Sequence, residues 1–418
     1  MEQRLELTIR RLGAGGDGIA DGPVFVAGAL PGERVRAVAA GKDRTRAVEI
    51  LAPSPDRVAP PCKWFGTCGG CSVQHLAEPA YAAWKVGLLT AALAARGLDV
   101  TPAPLLRVAH ATRRRAELGA LRTPSGIAMG FHAEGSDALV DIDACLLLVP
   151  ELAKLLPALR AFLGTYLRSD ERADLHVTAA DNGIDLLVTG RNPDTRKRAE
   201  FADFAAANGI VRVAWRRERG DTPEIVALHE PPRVTFAHVA VAFPPGAFLQ
   251  ASRAAELVLS AEVVASVGRA KRTVDLYAGL GTFTFPLTGR VHAVEGDKAA
   301  IAALEAASRG AFRAGRTTAE ARDLERRPLL PEELADYDAA IFDPPREGAA
   351  EQAAHLARSD VPVVVAVSCN PATFARDART LVDGGYALER VVPVDQFVWT
   401  GHLELVAVFR KARARRRR

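Results

Sequence analysis

The segment VAVSCNPATFARD (365–377) ends an apolar, strand-like run on Ser368 and Cys369, then turns through Asn370-Pro371 into a helix-like run. A cysteine at the end of a strand can be a packed core thiol, since free cysteines are commonly buried. It can also be a nucleophile. Glu404, in TGHLELVAVF, opens another apolar run, and Asp343, in FDPPREG, closes a third. Acids inside such runs are uncommon, because burial raises their pKa unless they are paired. His402, two residues before Glu404, falls on the same face of an extended chain. One thiol, one carboxylate and a methyl donor are what methylation of a pyrimidine at C5 needs. A thiolate adding at C6 makes C5 enolate-like and able to attack a methyl sulfonium. A base then removes the C5 proton so that the thiolate can leave. Glu404 and Asp343 are both candidates for that base, and a satisfied core acid is the bland reading of Glu404. Arg346 stands where enzymes that methylate exocyclic amines often carry an aromatic after Asp-Pro-Pro, so stacking there is not expected.

The remaining four cysteines form a second constellation. Cys62, Cys68 and Cys71 have C-x5-C-x2-C spacing with Gly69-Gly70 between the last two, and Cys145 in VDIDACLLLVP is a distant fourth. Glycines let a chain wrap closely enough for several thiolates to face one centre. Four thiolates suit zinc or an iron–sulfur cluster, and ligand type does not choose between them. A third constellation lies in DLYAGLGTF, where Gly279 and Gly281 follow a strand-like run that contains Asp275. Glu295 comes twenty residues after Asp275, at the end of the next strand-like run. That is the usual place for a ribose-binding carboxylate. A carboxylate at the glycine turn disfavours a pyrophosphate and suits a ligand with an ammonium, such as S-adenosyl-L-methionine (AdoMet). Asp323, in EARDLER, is a candidate for the adenine edge, with an exposed acid on a charged helix as the plain alternative.

These residues need elements to hold them. Residues 1–55 read as short strands broken by GAGGDG and PGE, the size of a small OB-like barrel. A Pro-rich linker, LAPSPDRVAPP, follows. Residues 56–240 read as α+β, with a helix at 79–96 that is a candidate to pack on the catalytic region instead. Gly97 is its expected stop, and DNG (181–183) the expected turn of a hairpin. From 241 to 418 helix and strand alternate, which predicts an α/β, Rossmann-like, parallel doubly wound sheet. Ligands in such sheets sit at strand carboxyl ends, where Asp275, Glu295, Asp343 and Cys369 fall.

Composition sets the bounds. The 418 residues carry a formal charge of +4, and seven basic residues among the last nine account for it, leaving −3 for the body. The tail is either an electrostatic RNA-binding arm or a disordered, solubilising end. The start lacks an apolar signal core and no uncharged run reaches membrane-spanning length, so a cytoplasmic, monomeric protein without membrane contact is expected.

Taken in order, DLYAGLGTFTFPL, VEGD, DPPREG, SCNPATFARD and TGHLELV resemble the RNA uracil-C5 methyltransferases, most of all those acting on 23S ribosomal RNA, over nearly the full length. The resemblance implies an N-terminal TRAM domain that binds RNA and a [4Fe–4S] cluster on Cys62, Cys68, Cys71 and Cys145. It implies Cys369 as nucleophile and Glu404 as base. Donor contacts fall on Gln250 of FLQ, on Asp275, Tyr277, Gly279 and Gly281, and on Glu295 and Asp343, with Asp343 holding donor or uracil. ATRRRAEL resembles the family's basic strand, and strand alternation puts Arg113 and Arg115 on one face toward RNA phosphates. Two departures stand out. Val398-Trp399 replaces the usual Pro-His, which is expected to change only local rim contacts. AALEAASRG replaces an Asn-rich helix, which is expected to alter packing on the adenine side. Within the family, tRNA is the competing substrate, and outside it the competing reading is a non-catalytic RNA-binding or assembly factor.

Overall fold

The computed structural model describes residues 5–22, 24–39, 44–310 and 315–412. The basic tail Arg413–Arg418 lies outside the described residues. The first five strands, β1 (Leu5–Leu12), β2 (Gly18–Ala20), β3 (Val24–Ala27), β4 (Arg34–Ala39) and β5 (Arg44–Ala52), close into a barrel in the order β1-β2-β3-β5-β4. Period-two alternation buries Ile9, which meets Ala20, Val26, Val35 and Ala37 inside. The buried Glu33 carboxylate accepts from the Leu30 amide at 2.8 Å and from Arg57 Nη2 at 2.8 Å, so the linker is fixed to the barrel wall.

Helix α1 (Glu78–Ala94) starts on a proline in its first turn and stops before Gly97, whose φ of 64° suits a residue without Cβ. Its Leu89 and Leu93 join a core with Val274, Phe342, Phe374 and Phe409 under the large carboxyl-terminal sheet. β6 (Leu106–Arg107) pairs in parallel at the edge of that sheet. The chain then returns to build the middle body. Strands β7 (Arg115–Thr123), β8 (Gly126–His132) and β9 (Leu139–Asp141) precede α2 (Pro150–Tyr166), and β10 (Arg172–Ala180) and β11 (Gly183–Gly190) precede α3 (Thr195–Ala207). β12 (Ile210–Arg216) and β13 (Glu224–Leu228) complete a sheet of order β13-β12-β11-β10-β7-β8-β9. Leu152, Leu155, Leu159 and Leu163 recur at helical spacing along α2 and cover one face of it. A hairpin of β14 (Arg233–Phe236) and β15 (Val239–Ala242) leads to the carboxyl-terminal body.

That body comprises α4 (Arg253–Val267), β16 (Arg272–Leu276), β17 (Arg290–Glu295), α5 (Lys298–Gly310), β18 (Thr317–Ala321), α6 (Pro331–Leu334) and β19 (Ala339–Phe342). It ends with α7 (Ala350–Arg358), β20 (Val363–Ser368), α8 (Pro371–Asp383), β21 (Tyr386–Asp395) and β22 (Glu404–Lys411). The sheet order is β18-β17-β16-β19-β20-β22-β21-β6, parallel from β18 to β20, with β22 antiparallel to both β20 and β21. Helices cover both faces, so the inner strands read as unbroken apolar runs: all of β19 and β20 is buried. Among the described residues no helix is long and apolar enough to cross a membrane.

Candidate active site

Cys369 follows β20 directly, and Asn370 caps α8, its side chain accepting from the Ala372 amide at 3.0 Å. Pro371 fixes the first helical turn. The thiol is therefore held between a strand end and a helix start. The last rung between β20 and β22 pairs Ser368 with Leu405. One residue further along each strand stand Cys369 and Glu404. Burial, then the charges of Glu404 and Asp343, push the Cys369 thiol up to about 11, while Arg346 acts the other way.

Glu404 is 3 % exposed, and burial raises its carboxyl to about 7 against the hydrogen bond it accepts from Gln396 Nε2 at 2.6 Å. The same Nε2 is 2.7 Å from Gln250 Oε1, and Gln250 Nε2 donates to Asp343 Oδ2 at 3.3 Å. Glu404, Gln396, Gln250 and Asp343 thus form one buried chain. Asp343 is raised well above the ordinary carboxyl range by burial, then by Glu404, Asp275 and Glu295. Asp275 is raised to about 7, mainly by burial. One of its oxygens accepts from Thr284 Oγ1 at 2.5 Å, and the other is buried with no hydrogen-bond partner among the described residues. Glu295 accepts from the Gly279 amide at 2.8 Å and from the Asp297 amide at 2.8 Å, so it shapes the glycine turn. That turn has Tyr277, Gly279 and Gly281 all at positive φ, 61°, 54° and 96°. Asp323 is exposed, and its Oδ1 accepts from the Glu325 and Arg326 amides.

Cys369 opens onto a cleft of about 1270 Å³. Its walls come from the barrel (Arg10, Arg11), from α1 (Trp84), from Gly69-Gly70 beside the cysteines, and from Arg346 and His402 of the catalytic body. His402 is exposed on that wall whereas Glu404 is buried behind it. The extended-chain expectation of a shared face fails because β22 begins only at Glu404. The barrel meets the catalytic body at Gly401, where a Cβ would overlap the Ala14 carbonyl oxygen.

Residues 238–412 match the family model described as tRNA (Uracil-5-)-methyltransferase. A protein of Brucella suis biovar 1 (strain 1330), described as an uncharacterised RNA methyltransferase, is 42% identical over 98% of this chain and 98% of its own. A 23S rRNA (uracil(1939)-C(5))-methyltransferase of Chromohalobacter salexigens is 37% identical over 95% of this chain and 87% of its own. The chain belongs to the RNA uracil-5-methyltransferase family. The solved tRNA (uracil-54, C5)-methyltransferase of Pyrococcus abyssi, in complex with S-adenosyl-L-homocysteine, shares the fold at a TM-score of 0.74 and 23% identity, covering 97% of this chain and 100% of that one. The carboxyl-terminal body of this methyltransferase is accordingly a class I AdoMet-dependent methyltransferase fold, preceded by a five-stranded barrel.

The methyltransferase brings its other four cysteines round one cavity of about 90 Å³, which Arg113 and Phe131 also line. None is in a disulfide. Burial pushes Cys71 up to about 12, and the other three thiols add to the rise. Among the described residues, no group of three or more His, Cys, Asp or Glu side chains is arranged to hold a metal ion. The basic strand is engaged largely within the chain. Arg114 is buried in an ion pair with Glu256. Arg115 donates to the Leu249 carbonyl at 2.5 Å and lies over the Phe248 ring, shaping the segment that carries Gln250. Arg113 lines both the cleft and the cysteine cavity.

Sequence reasoning passed over two polar residues. Gln396 links Glu404 to Gln250, and Thr284 holds Asp275. A glutamine directly after the apolar run of β21 was the available signal for Gln396. Val398 and Trp399, expected at the rim, are 4 % and 8 % exposed and pack in the core beside α4, because larger apolar side chains gain by burial.

Proposed function

We propose that this enzyme methylates C5 of a uridine in 23S rRNA, with AdoMet as donor, Cys369 as nucleophile and Glu404 as base. The observation that carries the reading is that Cys369 and Glu404 stand one residue beyond the last rung between two neighbouring strands, Cys369 opening on the cleft and Glu404 buried behind it, with a buried polar chain running back to Asp343. The Cys369 thiolate adds to C6 of the flipped-out base, and the C5–C6 π electrons move onto C5 and its carbonyl. C5 attacks the methyl carbon, and the C–S bond electrons go to the departing thioether. Glu404 takes the C5 proton, the C5–C6 double bond re-forms, and Cys369 leaves as thiolate.

Electrostatics favour a cationic donor. Asp275, Glu295, Asp343 and Glu404 raise one another or Cys369. A sulfonium among them offsets the two carboxylates that oppose the Cys369 thiolate. The unpartnered oxygen of Asp275 suits the donor's ammonium. Gly279 and Gly281 let the backbone approach it, while Tyr277, Glu295 and Gln250 shape its walls. Asp323, which anchors its own turn, is left a peripheral role at the adenine edge.

The barrel is read as a TRAM domain whose Arg10 and Arg11 face RNA phosphates across the cleft, with Arg113 as a further contact. The four-thiol cavity fits an iron–sulfur cluster. Four thiolates suit zinc or an iron–sulfur cluster, and the resemblance to the family favours the cluster, with one thiolate per iron. Cys62, Cys68, Cys71 and Cys145 would hold it, and its contribution there is a cross-link between the cysteine loop and the middle body.

Ribosomal RNA is favoured by the full-length likeness to the 23S rRNA enzyme. Transfer RNA is the second reading, favoured by the description of the family model and by the fold of the Pyrococcus enzyme. Mass mapping of 5-methyluridine in ribosomal and transfer RNA, from cells with and without the gene, tests both. The expected result is one 23S position that loses its methyl group. Loss confined to tRNA overturns the substrate, and no loss in either RNA overturns the function.

A further inference from the structure

Glu404 is delivered by the loop between β21 and β22, and that loop is gripped from outside its own sheet. Its first residue, Gln396, donates to Glu404 and accepts from the Ala251 amide at 3.1 Å, so its backbone position sets the geometry of the carboxylate. Lys85, on α1, is fully buried. Its Nζ lies 3.0 Å from Asp395 Oδ1, donates to the Phe397 carbonyl at 3.3 Å, and donates to the His402 carbonyl. The ammonium therefore holds the residues on either side of Gln396 and ties the loop's start to its end. Tyr81, one turn earlier on α1, donates to Asp395 Oδ2 at 2.6 Å and accepts from the Trp399 amide at 3.0 Å. Arg107 lies over the Tyr81 ring, its guanidinium 5.0 Å from the centroid. The Trp399 carbonyl accepts from Ser72 and Val73, at 2.8 and 3.1 Å, directly after Cys71. Trp399 has a φ of 61°, a conformation that persists only where its surroundings over-determine it.

A buried lysine is costly, and an apolar residue of equal volume would pack α1 at least as well. Its three polar contacts go to the last residue of β21 and to the loop that follows it, the loop that leads into Glu404. We infer that Lys85, with Asp395 and Tyr81, is a positioning device that fixes Gln396 and thereby Glu404 for the proton-removal step. The inference rests on the reading of Glu404 as the base. It makes α1, which precedes the catalytic body by more than a hundred residues, part of the catalytic apparatus.

Two substrates separate the steps. Adduct formation on RNA carrying 5-fluorouridine needs addition and methyl transfer but no proton removal, whereas turnover on ordinary RNA needs all three. Lys85→Met should bind AdoMet normally and form the fluorouridine adduct at close to the normal rate. Its turnover on ordinary RNA should fall about 100-fold, the scale of a misplaced reacting group, with the methylated covalent adduct accumulating. Tyr81→Phe, which deletes only a hydroxyl, keeps the test open if Lys85→Met does not fold. It should show the same pattern with a smaller fall, about 10-fold. Glu404→Gln is run beside them. If Glu404→Gln traps its adduct while the folded Lys85→Met and Tyr81→Phe clear theirs normally, the positioning role is overturned alone. An equal fall in adduct formation and turnover also overturns it. If Glu404→Gln itself clears, the base assignment falls and takes the positioning role with it.

Discussion

Glu404 has to be buried for its chemistry and is made less stable as an anion by that burial. Burial pushes its carboxyl up to about 7 in the folded protein, against 4.5 for an ordinary glutamate. The unfolded chain loses this proton near the lower value and the folded chain near the higher one. The stability that comes from holding the proton is therefore complete below the lower value and is lost as pH rises through about 7. Other groups titrate in the same window, so the clean observable is a difference. Glu404→Gln has no such proton, and its stability relative to wild type should rise by about 2 kcal/mol between pH 5 and pH 8. Melting temperatures of the two ligand-free proteins across that range check this. A difference independent of pH would mean that Glu404 is ionised throughout and paired with a cation. The same titration predicts turnover on ordinary RNA that rises with pH through about 7, since only the carboxylate form takes the C5 proton.

Among the elements, the cysteine loop is a segment that has no helix or strand of its own. It hangs between the middle body, where the Gly69 amide donates to the His132 carbonyl at 2.9 Å, and the catalytic loop, where Ser72 donates to Trp399. Replacing Cys68 with Ala should cost protease resistance of the segment around residues 60–75 far more than it costs AdoMet affinity. Anaerobically purified wild type should carry about four irons per chain. One zinc per chain and no iron would contradict the cluster, and a Cys68→Ala protein as resistant as wild type would contradict its role as a cross-link. The elements most legible in the sequence were those whose chemistry is odd for their setting. An acid, a cysteine or a glycine pair at the end of an apolar run marks a strand end, which is why Asp275, Asp343 and Cys369 could be set on one edge of a sheet. Illegible were the features made by contacts remote in sequence. Lys85 meets the His402 carbonyl 317 residues away, and nothing in YAAWKVG distinguishes a buried lysine from one on a solvated face. β6 is two residues long and has no period to read, so its place at the edge of the catalytic sheet could not be foreseen. Arg115 also meets the Leu249 carbonyl within the chain, which could not be read beforehand because strand alternation predicts a face but not what already occupies it.

At the scale of the whole molecule, the cleft is what turns three bodies into one enzyme. Barrel, α1, cysteine loop and catalytic body each supply part of its wall, so on the proposed reading an RNA seated there would touch all four and bring one base to Cys369. The covalent mechanism requires that this base become bonded to Cys369 and be released by Glu404. The direct measurement uses full-length Glu404→Gln with total cellular RNA and methyl-labelled AdoMet, run on a denaturing gel, with the bonded peptide and the attached RNA both identified. The predicted result is a stable adduct at Cys369 that carries the labelled methyl group on a uridine of 23S rRNA. No adduct, or an adduct at Cys145, would contradict the account.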